Sequence, residues 1–280
     1  MPTSIINTTN INEIESFEDK LLTFRTYCMI LIPILMGSIV ISQLLLNLFM
    51  NKNKTTIKKA HINGGKVKAI EKMAKKSEID FNSVMPDDTQ TPVAYAAMFS
   101  GSTEDEPGVA LQLFVNNHSP WSIDFNVQDN NKWNALMISV LRGKVGNVKV
   151  LLDKSEELNL DLNSMDKYDK TALMWACQSD NPRLIPPFLE CAKAKVINVN
   201  AQSKFGSAFF LACEKTAYED NKIERLEILM KFAKDLDMDL MVRDEGGETG
   251  FDKLSLETRE ILREKFPDLV PDEETLLSDQ

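Results

Sequence analysis

The chain has 280 residues, 43% of them hydrophobic, with 32 Lys and Arg against 42 Asp and Glu, a net charge of −10. That is length enough for a sizeable buried core, and the acidic balance argues against nucleic acid as a partner, because phosphate and carboxylate repel. The four cysteines include no C-x-x-C pair and the two histidines, His61 and His118, stand far apart, so no metal or cofactor is expected.

Residues 1–26 form a short acidic tail in which Glu13, Glu15, Glu18 and Asp19 outnumber Lys20 and Arg25. Residues 27–50, Tyr27 to Met50, contain no charge and are rich in Ile and Leu. As a helix they would run about 36 Å, enough to cross a hydrocarbon core of about 30 Å. A cleaved signal peptide fits less well, since the preceding region is long and acidic and no A-x-A site follows. Residues 51–65 are a basic linker with Lys52, Lys54, Lys58 and Lys59, a composition suited to anionic lipid. Nine lysines lie between Asn51 and Lys76, so the side after Met50 is expected to be cytoplasmic. From Ser77 onward 21 basic residues face 37 acidic ones, net −16, which favours encounter with basic proteins.

Residues 66–267 read as a stack of short units. Val67 to Lys76 is amphipathic and suits an N-terminal cap. A pattern then recurs: Thr91-Pro-Val-Ala-Tyr-Ala-Ala, Asn134-Ala-Leu-Met-Ile-Ser-Val, Thr171-Ala-Leu-Met-Trp-Ala-Cys, Ser207-Ala-Phe-Phe-Leu-Ala-Cys, and a degraded copy from Thr249. Each opens with a side chain that can cap a helix. Paired small residues allow close helix approach, and Leu151-Leu152 and Phe188-Leu189 supply a second apolar helix. Asp129, Asp166 and Asp244 stand five residues before three of the openings, and Asn126, Asn163 and Asn200 precede the hairpins. Leu254 to Phe266 is expected to close the stack, and residues 268–280 form an acidic tail. Cys177 and Cys213 occupy the same place in adjacent copies and read as small core residues; Cys191 is expected to follow the third copy's second helix.

This grammar resembles the ankyrin repeat, whose period is about 33 residues and whose opening is T-P-L-H-x-A. The copies here are longer, with the excess in loops such as 100–108, 116–123, 191–197 and 218–221. None keeps the family's His, whose place is taken by Ala94, Met137, Met174 and Phe210. The resemblance implies an all-α solenoid of about four to five repeats; with the uncharged run 27–50 and its lysine flank ahead of it, the chain is expected to be a single-pass membrane protein with one transmembrane helix and the repeats on the cytoplasmic side. It implies a scaffold that binds a protein partner through hairpin tips and inner-helix ends. Carried over by position, the tips contain Asn131, Trp133, Tyr168, Lys170, Lys204 and Phe205, and the inner-helix ends Arg142 and Gln178. Trp133, Tyr168 and Phe205 are expected to form an exposed aromatic row, the kind of residue that anchors interfaces. No catalytic constellation accompanies them, so no enzyme is expected. Two other roles fit the same sequence: an accessory subunit that contacts a membrane complex through the spanning helix, and a bacterial effector acting in a host cell.

The lysine flank yields a test. Protease added to the cytoplasmic face of sealed vesicles should digest the repeat region and leave residues 1–25 intact. Protection of the repeat region would reverse the orientation.

Overall fold

The computed structural model describes residues 81–83, 90–99, 103–194, 197–218 and 223–272, all within one compact unit spanning residues 53–280. The expected spanning segment 27–50, the lysines of 51–65, the cap at 67–76 and the end of the acidic tail lie outside the described residues. Among the described residues no helix is long and apolar enough to cross a membrane.

The described chain is a series of helix pairs: α1 (Pro92–Ala97) with α2 (Val109–Asn116), α3 (Ala135–Leu141) with α4 (Val145–Asp153), α5 (Ala172–Gln178) with α6 (Ile185–Ala192), and α7 (Ala208–Tyr218) with α8 (Glu224–Ala233). The first helix of each pair packs on its counterpart in the next pair, α1 on α3 on α5 on α7, and the second helices follow suit. The expected caps are in place. Thr91, Asn134, Thr171 and Ser207 each accept from the amide three residues on, at 3.0–3.4 Å. Ala96, Ala97, Ala176, Cys177, Ala212 and Cys213 are buried where inner helices meet, and Leu151, Leu152, Phe188 and Leu189 are buried in the outer row.

Three details differ from the sequence reading. The closing helix, α9, is shorter (Leu256–Lys265), because Ser255 caps it and a 3-10 turn occupies Phe251–Lys253. Cys191 lies inside α6 rather than after it. The fold is also not purely helical, since Gln202–Ser203 (β1) and Gly206–Ser207 (β2) form a minimal antiparallel hairpin.

Polar side chains hold the loops. Asn126 Nδ2 donates to Asn159 O (2.8 Å) while its Oδ1 accepts from Asp161 N (2.7 Å). Asn200 repeats this with Asp237 O and Asp239 N, and Asn163 accepts from Asn198 N. Asn82, which the repeat pattern did not flag, does the same with Ser122 O and Asp124 N. The carbonyls so used belong to Ser122, Asn159 and Asp237, all at φ near +50°. Each carboxamide therefore satisfies a turn in the following unit, a donor and an acceptor at once.

The insertion after α1 is pinned rather than loose. Glu104 O accepts from Gly146 N (2.9 Å), and a Cβ on Gly146 would come within 2.4–2.6 Å of the backbone at 105–107. Only glycine lets the loop lie on the start of α4. Asn147, fully buried, accepts from Gly108 N (2.7 Å) and donates to Ala97 O (2.9 Å) and Phe99 O (2.6 Å), joining the first two units. Arg225 at the start of α8 reaches Cys177 O (3.2 Å) in the corresponding manner. The second insertion, 116–123, is closed by Trp121 stacked on Phe81 (5.4 Å) with Phe114 edge-on to both.

Asn147→Ala strands the amide of Gly108 and the carbonyl of Phe99, each costing about 1–3 kcal/mol when unpartnered, and leaves Ala97 O with only the long bond from Ser139 Oγ (3.5 Å). Denaturant unfolding of the variant, followed by tryptophan fluorescence, should show a loss of at least about 2 kcal/mol. A loss within the roughly 0.5 kcal/mol typical of surface sites would mean that this joint does not couple the units.

Candidate functional site

The hairpins that precede α3, α5 and α7 share one construction. In the first, Asp129 Oδ1 accepts from Asn131 N (2.7 Å) and Trp133 N (2.9 Å). In the second, Asp166 Oδ1 accepts from Tyr168 N (2.8 Å) and Lys170 N (2.9 Å). In the third, Ser203 Oγ accepts from Phe205 N (3.2 Å). Three residues past each of these turn-formers the chain enters the left-handed region, at Lys132 (φ 59°), Asp169 (φ 61°) and Gly206 (φ 101°). The side-chain acceptor makes that conformation tolerable for a non-glycine residue.

Asp166 has a second task. Its Oδ2 accepts from the indole Nε1 of Trp133 (3.1 Å), in the preceding unit, and of Trp175 (3.0 Å), in α5. The two indoles meet edge to face at 6.3 Å. One buried carboxylate thus receives four hydrogen bonds and ties two hairpins to an inner helix. Lys170 packs behind it, its Nζ 4.7 Å from the Trp175 centroid and 4.6 Å from that of Phe205, donating to Gln178 Oε1 at 2.7 Å. Burial pushes the Lys170 ammonium below the usual lysine range, opposed by the carboxylates of Asp166 and Glu214. Between hairpins, Lys167 Nζ donates to Asn131 Oδ1 (2.7 Å), and Lys204 Nζ lies 3.5 Å from Asp169.

This geometry redistributes the residues expected at the tips. Lys170 is 7% exposed and serves as a brace, not a contact residue. Trp133 is half-buried, its N–H committed to Asp166. Asn131 Oδ1 and Gln178 Oε1 accept from Lys167 and Lys170. The aromatic row is therefore a pair: Tyr168 and Phe205 are 40% and 46% exposed and meet edge to face at 6.2 Å. Arg142 is exposed at the far end of α3, away from this cluster in sequence and caps. Lys204 is exposed beside Phe205.

Trp175, Lys167 and Met165 went unremarked in the sequence as site residues. Trp175 carried a signal, an aromatic one turn into an inner helix. Met165, 40% exposed, carried none. The family's His has a partial replacement in Met174, whose Sδ accepts from Thr171 N at 3.5 Å. The thiols of Cys177 and Cys213 offer no chemistry here: burial pushes Cys177 up to about 12 and Cys213 well above the ordinary thiol range. Buried thiols of this kind are inert.

The paired helices, capped openings and Asp-built hairpins agree with what sequence comparison finds. Residues 103–203 match the family model of ankyrin repeats, in three copies. No curated protein matches the chain. The matched span holds the hairpins of Asp129 and Asp166 and ends inside the third, at Ser203. The geometry continues past it: Asp244 Oδ1 accepts from Gly246 N and Glu248 N at 2.9 and 3.0 Å. Ankyrin repeats make residues 103–203 a protein–protein interaction module.

Asp166→Asn would turn an amide N–H₂ toward two indole donors, whereas the corresponding Oδ2 of Asp129 has no partner among the described residues. Asp166→Asn should therefore cost about 2–4 kcal/mol, at roughly 1–3 kcal/mol for each buried donor left unpaired, and Asp129→Asn should cost about 1 kcal/mol or less. Unfolding midpoints of the two variants, with the indole emission shift, measure the difference. Equal losses would sink the assignment of Asp166 as the tie between repeats.

Proposed function

We propose that this chain is a membrane-tethered scaffold that binds a protein partner through the hairpin face centred on Tyr168 and Phe205. The observation that carries the reading is the exposed edge-to-face pair standing on hairpins fixed by Asp166, Ser203 and Lys170. Rings held in advance lose little freedom on binding, and such rings are favoured anchors. Arg142 offers a secondary contact at the inner-helix end.

The tether is residues 27–50, with the repeats on the cytoplasmic side. An uncharged run of that length followed by nine lysines supports it. Lys52, Lys54, Lys58 and Lys59 add attraction to anionic lipid at the exit. No catalytic role is proposed.

The test begins with crosslinking of the full-length chain in its membrane and identification of the protein joined to it, followed by titration with that protein. Tyr168→Ala with Phe205→Ala should weaken binding by at least about 2 kcal/mol, the hot-spot scale, with little change in unfolding midpoint. Trp133→Ala should lower the midpoint. Unchanged affinity in the double variant, with loss in Arg142→Ala, would move the interface to the inner helices.

A further inference from the structure

The sign of the partner's charge follows from which charges at this face reach solvent. Resting on the reading just given, we infer that the segment bound at the Tyr168–Phe205 face is acidic and apolar: a peptide stretch of a protein partner in which Asp or Glu alternates with large apolar side chains.

The whole domain argues the opposite way, with a net −16 from Ser77 onward. At physiological ionic strength, however, charges beyond about 8 Å are largely screened, so the contact is decided by the groups at the tips. Two of the three tip carboxylates are withdrawn. Asp129 and Asp166 are buried and accept from backbone amides of their own hairpins. The third, Asp169, faces Lys204. The cations outnumber the one carboxylate left outside: Lys132, Lys167 and Lys204 are exposed, one on each of three successive hairpins, and Asp169 offsets only Lys204. Two of them flank the exposed rings directly in sequence, as Lys167-Tyr168 and Lys204-Phe205, and Met165 extends the apolar surface.

An ammonium has three donors. Lys167 spends one on Asn131 Oδ1, which fixes its head and leaves donors for a carboxylate. The apolar pair favours large side chains between those carboxylates over the headgroups of an anionic lipid surface, and the net −16 of the domain disfavours a nucleic acid. Because the surrounding domain is acidic, long-range attraction is absent, and specificity arises at contact rather than by steering.

The experiment is selection of random twelve-residue peptides displayed on phage against the full-length chain in non-ionic detergent near physiological salt, followed by titration of the synthetic winners. The enriched peptides should be net negative with at least one large apolar residue. Their affinity should fall at least about tenfold in Lys167→Glu with Lys204→Glu, and by a similar factor in Tyr168→Ala with Phe205→Ala. Lys132→Glu, on a neighbouring hairpin and outside every buried contact, gives a second charge reversal in case the first perturbs the fold. Enriched peptides that are basic, yet still lost with the ring variants, would overturn the acidic segment and leave the interaction face intact. Winners indifferent to the rings would overturn both. Failure to enrich any peptide, with ring-dependent and lysine-dependent sedimentation on phosphatidylserine vesicles instead, would replace the peptide by a lipid surface.

Discussion

A buried backbone amide or carbonyl costs about 1–3 kcal/mol when it has no partner. A stack of six- to eleven-residue helices leaves many of them at its turns, because each helix end exposes four. Two-residue strands cannot absorb the excess. The chain meets the constraint with side chains of fixed reach: carboxamides at Asn82, Asn126, Asn163 and Asn200, and carboxylates at Asp129, Asp166 and Asp244. Where such a group is present the turn can adopt a left-handed residue without glycine, as at Lys132 and Asp169. The helices stack because the turns between them are already settled.

Asp166 extends that logic from structure toward recognition. Its first oxygen builds a hairpin, and its second gathers Trp133 and Trp175. One of the gathered indoles, Trp175, is the face against which Lys170 lies, and Lys170 in turn supports Phe205. The residues that face outward are thus held by residues that do not. A large aromatic surface is divided between an inner part that fixes geometry and an outer part left for contact.

The repeat type was legible because it rests on local chemistry written at fixed spacing: cap residues, small pairs, the hairpin Asp and the ladder Asn. Each acts within a few residues or on the next unit, and the helices and turns formed where those residues stand. The division of the aromatic residues was not legible. Nothing in the spacing of Trp133, Tyr168 and Phe205 distinguishes them, and Trp133 turns inward only because Asp166, thirty-three residues away, offers an oxygen. Lys170 reads as a surface residue by type and is buried because two rings and Gln178 receive it. Asn82 was missed because Pro86, not an Asp, stands five residues before Thr91, so the sequence does not mark the register there. Long-range pairings of this kind depend on the fold being in place before they can be named.

The insertion of 103–107 alters how the array comes apart. In a simple repeat stack each unit touches only its neighbours, and the ends fray one unit at a time. Here Asp105 pairs with Arg183, a residue of the third unit, while Glu104 and Gly108 are held by Gly146 and Asn147 of the second. An exposed ion pair contributes little by itself. Its position matters more than its strength, because the loop spans a unit and fastens on the far side. Peeling away the first unit must release contacts in the next two, so the smallest segment that can open from this end is enlarged. Local opening, proteolytic nicking and amide exchange in the first described unit are thereby coupled to the two units that follow it.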